Sequence, residues 1–395
     1  MKLKFIDPRM FKHIDWLLFG NIVLLIMMSM IAIASAVSEP LSEDAATGSF
    51  MSIIGQLDLS QVVLQLQWFG VALFAMFIVL LPDYHAIGEY YKWIYGVTII
   101  LLIAVYFFGH EVNGTTGWFR IGTSGFQPSE VGKIALIITM ARMISNRTKG
   151  KDGGIRTLKD FLPLLGVFLV PVALIVIQPD FGTAMVYAFT FFSMLFVART
   201  SWKLIAGLLG AVGIALPAVW FMLDSWQRNR IYTFLGIPVE GMSQEKYEDL
   251  SRQANLAKQA VGSGQVSGKG LFSIGGASNL SNIPEKHTDF IFATTTEAIG
   301  FIGALVVILL YCLLIFRTMY LATKAKDDFG TLIITGVLAM TLFHVFQNIG
   351  MNIGVMPITG IPLPFFSYGG SSLLTNMIAF GLVINVSMRR VRWSF

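Results

Sequence analysis

The sequence is poor in cysteine, histidine and charge, and each shortage excludes a class of protein. Its 395 residues include one cysteine, Cys312, so no internal disulfide can form. The five histidines are scattered, with no pair at the spacing of metal ligands. Only 13% of the residues are charged, against roughly 25% in soluble domains. The chain is therefore neither an ordinary soluble domain nor a disulfide framework.

Long apolar runs make up most of the chain instead. Hydrophobic residues account for 55% of the sequence, and the mean hydropathy is +0.70. About 20 apolar residues are needed to cross a bilayer core of about 30 Å. Runs of that kind lie at residues 15–37, 62–82, 92–109, 128–146, 161–178, 182–199, 203–223, 297–320, 330–350 and 370–388. We therefore predict an all-α integral membrane protein of about ten transmembrane helices, with a single polytopic membrane domain over residues 1–395.

Basic residues predict how these helices are oriented. Several Lys and Arg residues precede the first run, whereas the loop at 38–61 contains acidic residues and no Lys or Arg. Cytoplasmic loops are enriched in Lys and Arg, and alternate short loops and the C-terminal tail follow this pattern. Both termini are therefore predicted to be cytoplasmic, with one large extracytoplasmic loop at 224–296. This topology explains the formal net charge of +5, which does not indicate nucleic acid binding.

The sharpest candidate for chemistry is Asp289, which ends the charged segment 284–289 and leads directly into an apolar run. A carboxylate at a water–lipid boundary can have a raised proton affinity, and a lipid-linked substrate can reach it. Lys286 and His287 favour its ionised form while desolvation disfavours it, so the direction of its pKa shift does not follow from the sequence. The structural alternative is that Asp289 caps the following helix.

Two other segments combine charge with residues that start helices. Pro128 suits the first turn of a helix, and Glu130 and Lys133 lie three residues apart on one face, close enough to pair. They form either an ion pair inside the bundle or the wall of an outward cavity. Asp180, in a tight turn between two runs, is predicted to be a helix N-cap.

The remaining polar candidates follow the seventh run. Arg228 and Arg230 either anchor the chain at the membrane surface or hold a pyrophosphate, because guanidinium groups match phosphate oxygens. The glycine-rich stretch at 262–270 lacks the P-loop spacing and is predicted to be a flexible loop whose backbone approaches a substrate. Residues 356–372 interrupt an apolar region, and such backbone is tolerated at membrane depth only when it is buried or lines a cavity.

Together these segments resemble the SEDS family (shape, elongation, division and sporulation), which polymerises the glycan strands of bacterial peptidoglycan. The resemblance extends over nearly the whole chain, and the loop pattern is similar to that of the elongation branch. The residues that carry it are Trp118 with 126–130 and Lys133, then 178–183, 227–230, 262–270, 284–293 and 357–372.

The resemblance implies a ten-helix fold, a lipid II substrate and an essential catalytic aspartate, which is Asp289 here. The substrate-binding candidates are Trp118, Glu130, Lys133, Arg228, Arg230, Lys269, His287 and Ser367. Two positions depart from the family pattern: Gly117 replaces a usual Arg, and Glu297-Ala298 replaces a frequent pair of glutamates. The first departure argues against a role for position 117 in phosphate binding. The second leaves Glu297 as the only carboxylate of that pair.

The implied partners are lipid II, the growing glycan strand and a class B penicillin-binding protein, at the outward face of the bacterial cell membrane. No cofactor is implied, and a divalent cation is left open. We expect Asp289 to act as general base on a sugar 4-hydroxyl while Arg228 and Arg230 stabilise undecaprenyl pyrophosphate, with inversion at the anomeric carbon. The alternatives are a lipid II flippase, against which the lack of inverted repeats argues, and a non-catalytic scaffold.

Overall fold

A computed structural model describes residues 12–38, 55–112, 115–121, 124–149, 154–222, 225–237, 244–272, 283 and 285–389. The helices up to the first strand are α1 (Trp16–Val37), α2 (Ser60–Leu80), α3 (Tyr84–Glu89) and α4 (Tyr91–Phe108). Three strands follow, β1 (His110–Val112), β2 (Thr115–Ile121) and β3 (Ser124–Phe126). The later helices are α5 (Pro128–Thr148), α6 (Leu158–Ile177), α7 (Phe181–Val197), α8 (Trp202–Met222), α9 (Ser225–Leu235), α10 (Gln244–Ser263), α11 (Ile291–Thr323), α12 (Asp328–Asn352) and α13 (Gly370–Met388).

A helix occupies each of the ten predicted apolar runs, and most ends agree within a few residues. Within the described residues, seven helices are long and apolar enough to cross a membrane: α1, α2, α4, α6, α11, α12 and α13. The chain is therefore a multi-pass membrane protein. Polar caps start several helices, because a side-chain oxygen satisfies an N–H group that has no partner in the first turn. Asp15, Thr157, Asp180 and Asp327 do so for α1, α6, α7 and α12.

The centre of the bundle is formed by α12 and α13. In the 18-residue apolar stretches of α12 and α13, 72% and 89% of the residues are buried. In those of α2 and α4 only 17% are buried, so most side chains of these two helices face lipid. Lipid supplies no hydrophobic drive between helices, so close packing must hold the bundle together. Gly336 of α12 illustrates this, because a Cβ there would lie 2.6 Å from the side chain of Ile137 on α5. The two helices can approach this closely only with glycine at that position.

The region before α5 departs from the all-α expectation. Residues 110–126 contain a three-stranded antiparallel sheet in the order β1-β2-β3, with Phe119 opposite Phe126. The sequence of β2, Thr-Thr-Gly-Trp-Phe-Arg-Ile, is rich in β-branched and aromatic residues, which favour a pleated backbone. The ring of Trp118 lies against Gly125 on the neighbouring strand. The sheet ends at Phe126, two residues before α5 begins.

The glycine-rich loop at 262–270 packs against α11, and the approach of its backbone to a substrate stays a prediction. α11 breaks at Gly300, whose φ is 70°. Around the break, Lys269 N and Gly270 N donate to the carbonyls of Glu297 and Ala298, each at 2.9 Å. A Cβ on Gly268 would lie 2.3 Å from the carbonyl oxygen of Ala298. The glycines are thus needed for contact with the opened helix backbone.

The segment between α12 and α13, residues 353–369, is the broken segment. Much of its non-helical backbone is buried, as the sequence predicts for such backbone at membrane depth. Side chains from the surrounding helices donate to its carbonyls, so that these groups do not face the interior unpaired. The bonds run from Gln347 to Pro357, Asn348 to Ile361, Tyr311 to Pro364, Ser29 to Phe366 and Gln65 to Ser367, at 2.6–3.3 Å.

Candidate functional site

Asp289 lies in a turn immediately before α11. Its N–H and that of Phe290 donate to the carbonyl of Glu285, at 3.2 and 3.3 Å. The N-cap of α11 is Phe290, and no side chain caps the helix. The alternative in which Asp289 is the helix cap is therefore wrong, because its carboxyl group does not serve the N–H groups of the first turn.

The main chain of Asp289 is held by two amides from α12. Asn348 Nδ2 and Asn352 Nδ2 donate to the Asp289 carbonyl at 2.9 and 3.1 Å. Both asparagines are completely buried. Because these donors serve the main chain, the carboxyl group of Asp289 is left available for other partners.

The carboxyl group of Asp289 is surrounded by protein although the residue as a whole is only partly buried. Its Oδ2 lies 3.5 Å from the position that a Cβ of Gly360 would occupy. Burial and, secondarily, the charge of Glu285 raise the pKa of Asp289 to about 7, while Arg230 acts in the opposite direction. This carboxyl can therefore gain or lose a proton near neutral pH, as a general base must.

A small apolar cluster lies beneath this turn. It consists of Ala257, Ala260, Ile283, Phe290 and Ala293, with Ile358 of the broken segment packed against it. Because α10 contributes the first two, part of the large loop packs against the start of α11, next to the candidate base. Burial is the largest cause of the raised pKa of Asp289, and this cluster is the apolar packing that directly follows it in the chain, through Phe290.

Of the two candidate arginines, Arg230 is the one whose charge acts on Asp289. Arg230 Nη1 lies 3.4 Å from the carbonyl oxygen of Ile358, and its charge favours the ionised form of Asp289. Much of the side chain remains exposed, so a ligand can reach it. Arg228 is half-buried on the same helix, α9.

His287 and Ser367 fasten the charged turn to the broken segment. Ser367 Oγ donates to the carbonyl of Thr288 at 2.6 Å and accepts from Leu363 N at 2.8 Å. The carbonyl of His287 accepts from Tyr368 N at 3.0 Å. Burial lowers the pKa of His287, so the ring is neutral at pH 7. It therefore does not supply the positive charge that the sequence assigned to it beside Asp289.

Glu130 and Lys133 form the ion pair expected from their spacing, inside the bundle. Lys133 Nζ lies 2.6 Å from Glu130 Oε1, and the two side chains are only 2% and 5% exposed. Lys133 Nζ also lies 3.0 Å from His344 Nε2, and His344 Nδ1 lies 3.1 Å from the carbonyl oxygen of Pro362. Because that carbonyl can only accept, Nδ1 carries the proton and Nε2 accepts from Lys133. The pair thus reaches the broken segment through His344 and does not line an open cavity.

Asp180 is confirmed as an N-cap, since its Oδ1 accepts from Thr183 N at 3.0 Å. Its Oδ2 also accepts from Gln127 Nε2 at 2.8 Å, which joins the start of α7 to the residue before α5. Lys269 forms an ion pair with Glu297, whose side chain is 2% exposed, and Ser263 Oγ donates to the same carboxylate at 3.0 Å. Lys269 therefore already contacts a carboxylate, which competes with any phosphate.

The sequence interpretation missed the polar face of α12. Gln347, Asn348 and Asn352 lie three, four and eight residues after His344 within an apolar helix, which places them on one face. That face contacts both the Asp289 turn and the broken segment. The spacing alone could have identified it, because buried amides in a membrane helix need partners. No cluster of three or more possible metal ligands occurs in the part of the chain that the structure describes.

Known proteins are similar to this chain in both sequence and fold. The family model for the FtsW, RodA and SpoVE cell cycle proteins matches residues 15–392. The peptidoglycan glycosyltransferase MrdB of Escherichia coli (strain K12) is 37% identical over 299 residues, covering 75% of this chain and 78% of MrdB. A chain from a peptidoglycan synthase complex that coordinates polymerization and crosslinking has a TM-score of 0.76 at 27% identity, with 95% and 98% coverage. A variant of the rod shape determining protein RodA of Thermus thermophilus has a TM-score of 0.68 at 26% identity, with 96% and 99% coverage.

Proposed function

This chain belongs to the FtsW, RodA and SpoVE family of cell cycle proteins, the SEDS family, and we propose that it is a peptidoglycan glycosyltransferase that polymerises lipid II during cell elongation. Relatives such as MrdB are named peptidoglycan glycosyltransferases. The observation that carries the assignment is the desolvated carboxyl of Asp289, with a pKa of about 7, near the accessible Arg230. A flippase would need no such base. The same residue argues against a non-catalytic scaffold.

In the proposed reaction Asp289 accepts the proton of the acceptor sugar 4-hydroxyl. That oxygen attacks the anomeric carbon of a second lipid-linked saccharide, the glycosidic bond forms, and undecaprenyl pyrophosphate leaves with the bonding electron pair. Arg230 is the first candidate to stabilise the negative charge on the pyrophosphate, with Arg228 on the same helix as the second. A single attack of this kind inverts the anomeric carbon.

A single-base mechanism is supported by the positions of the other carboxylates. Glu297 is buried and occupied by Lys269 and Ser263. Glu285 is exposed and its Oε2 accepts from Thr288 Oγ1 at 3.0 Å. Glu297 is therefore not positioned as the second member of a retaining pair, in which two carboxyl groups flank the reacting carbon at about 5–5.5 Å. Glu285, whose charge acts on Asp289, is the one carboxylate that these contacts leave open.

The other substrate-binding candidates have different proposed roles. His287 and Ser367 set the position of the Asp289 turn through main-chain contacts. Lys269 acts on α11 through Glu297. The pair of Glu130 and Lys133 supports the broken segment through His344, and Trp118 packs against Gly125 within the sheet that precedes α5.

The proposed topology has all ten long helices spanning the bacterial cell membrane, both termini cytoplasmic, and residues 224–296 outside. This places Asp289 at the outward face, where lipid II and the growing glycan strand would meet it. A class B penicillin-binding protein is the proposed partner, in keeping with the similarity to a synthase complex in which polymerization and crosslinking are coordinated. Whether the reaction requires a divalent cation is tested by adding or omitting the cation in the polymerisation assay described next.

The test is polymerisation of lipid II by the purified protein in detergent, alone and with its transpeptidase partner. Wild type should form glycan polymer, and Asp289→Ala should lose about 10²- to 10⁴-fold of the rate, the usual contribution of a general base. Glu285→Gln is the matched control, because it removes a neighbouring carboxylate while leaving the base. Polymer formation by Asp289→Ala at the wild-type rate would exclude this mechanism.

The two arginines are tested in the same assay. Arg230→Ala should reduce turnover by about 10²-fold, because it removes a charge that stabilises the leaving group. Arg228→Ala should have the smaller effect, because only Arg230 is seen to act on Asp289. Unchanged kinetics for both variants would assign the arginines to membrane anchoring.

A further inference from the structure

A side chain from α12 bonds the first turn of α11 and the carbonyl just before it. In an unbroken helix the N–H of Ala293 would donate to the carbonyl of Asp289, four residues earlier. Here Ala293 N donates to Asn352 Oδ1 at 3.0 Å, and the Asp289 carbonyl accepts from Asn352 Nδ2 at 3.1 Å. The carboxamide therefore stands between donor and acceptor and replaces one main-chain hydrogen bond with two.

The regular ladder of α11 begins one residue later. Thr294 N donates to the carbonyl of Phe290 at 3.1 Å. The inserted amide thus fixes the point at which helical geometry begins, and it leaves Asp289 outside the helix. Side chains that insert into the hydrogen-bond ladder bend or end helices in this way. Without the insertion, the first turn of α11 could extend backwards to include Asp289.

A second amide secures the same carbonyl to the broken segment. Asn348 Nδ2 donates to the carbonyls of Asp289 and Ile361, at 2.9 and 2.8 Å. Asn352 Nδ2 in turn lies 2.8 Å from the carbonyl oxygen of Asn348, one helical turn earlier. The candidate base, the broken segment and α12 are therefore held at one point.

We propose that Asn352, assisted by Asn348, is a positioning residue for glycosyl transfer: its inserted carboxamide sets where α11 begins and thereby aims the Asp289 carboxyl at the substrate. The inference rests on the proposed role of Asp289 as the base. Only a short side chain with both a donor and an acceptor can bridge this gap. Aspartate lacks the donor and leucine lacks both.

The choice of amides has a further consequence. A lysine or arginine could donate to the Asp289 carbonyl but could not accept from Ala293 N, and its charge would favour the ionised carboxylate and reduce its proton affinity. The two asparagines are neutral and act on the main chain. They therefore position Asp289 without cancelling the effect of its desolvated surroundings.

The proposal is tested with Asn352→Ala in the full-length protein, assayed with lipid II in detergent. We expect kcat to fall about 100-fold, as for a comparable displacement of a catalytic group, with KM within about twofold of wild type. The acid limb of the pH profile should also move, because the carboxyl enters different surroundings. Asn348→Ala should lose about tenfold, since one of two donors to the carbonyl remains. Asn352→Asp keeps the acceptor for Ala293 N, loses the donor, and should fall between them.

Asn385→Ala is the matched control. Asn385 is also completely buried and donates to two main-chain carbonyls, those of Val79 and Pro82, at the opposite end of α12 from Asp289. Its loss should lower the melting temperature and leave kcat and the pH profile unchanged. If Asn352→Ala, or Asn352→Asp should the alanine variant not fold, behaves like this control, Asn352 is merely structural and the proposal is overturned. Wild-type turnover by Asp289→Ala would instead overturn the base itself, so the two failures are distinguishable.

Discussion

An aspartate lies at each end of α12: Asp327 just before α12 itself, and Asp289 just before α11. The surrounding residues bond the carboxyl group of one and the main chain of the other. Asp327, at the start, caps the helix through Gly330 N and accepts from Tyr84 Oη at 2.5 Å and from His85 Nε2 at 3.1 Å. Asp289, at the far end about 37 Å away for a helix of this length, is held by its main-chain carbonyl. One carboxyl group is fully engaged and the other is not.

The proton affinities follow from this difference. Burial raises the pKa of both groups, but the hydrogen bonds from His85, Tyr84 and Gly330 outweigh it at Asp327 and hold its pKa below the usual range. At Asp289 burial and Glu285 prevail, and the pKa is about 7. Within the described chain, the Asp289 carboxyl oxygens accept no hydrogen bond that would offset burial. Donors thus turn one aspartate into a structural link, and their absence leaves the other reactive.

Replacing each aspartate by asparagine should separate these roles most strongly. Asp289→Asn should lose about 10²- to 10⁴-fold in turnover while its melting temperature stays at or above that of wild type, because a desolvated charge is removed. Asp327→Asn should retain turnover per folded molecule and lose about 1–3 kcal/mol of stability through its unpaired donors. Equal effects on turnover in the two variants would contradict the comparison.

The pH dependence of turnover should show the raised pKa directly. A base with a pKa of about 7 is increasingly protonated below that value, so kcat should fall about tenfold per pH unit on the acid side. Glu285→Gln should move this limb to lower pH, because a charge that raises the pKa is lost. Arg230→Ala should move it to higher pH. An acid limb near pH 4 would show that Asp289 is not desolvated during turnover.

Much of this arrangement could be predicted from the sequence, because helices in lipid are recognisable as apolar runs. The charged segment before α11 also drew attention to Asp289 as the candidate catalytic group. Contacts between distant segments could not be predicted. The glycines at 262–270 signalled flexibility, but their partner is the opened backbone at Gly300, which itself lies within an apolar run.

The pair of Glu130 and Lys133 shows the same limit. Their spacing predicted an ion pair, and the pair is present. Whether it faces a cavity or the bundle depends on α12, which contributes His344 from 211 residues further along the chain. Helix periodicity places side chains on a face, but the neighbouring helix decides what that face contacts.

His85 provides the test with the smallest expected effect. It titrates beside Asp327, the aspartate whose carboxyl group is hydrogen-bonded. Hydrogen bonds to Asp327 and Asp83 raise its pKa to about 9, from an ordinary value of 6.5. The stability it contributes is therefore complete below pH 6.5 and is lost as the pH rises towards 9. Because the side chain is 45% exposed, solvent should reduce the loss to about 1 kcal/mol.

The measurement is thermal unfolding in detergent between pH 6.5 and 9.5, in an Asp289→Asn background that removes the titration of the other aspartate. Melting temperature should fall with rising pH in this background and become flat when His85→Gln is added. A slope that survives His85→Gln would assign it to another group. Such a result would remove His85 from the hydrogen-bond donors that distinguish Asp327 from Asp289.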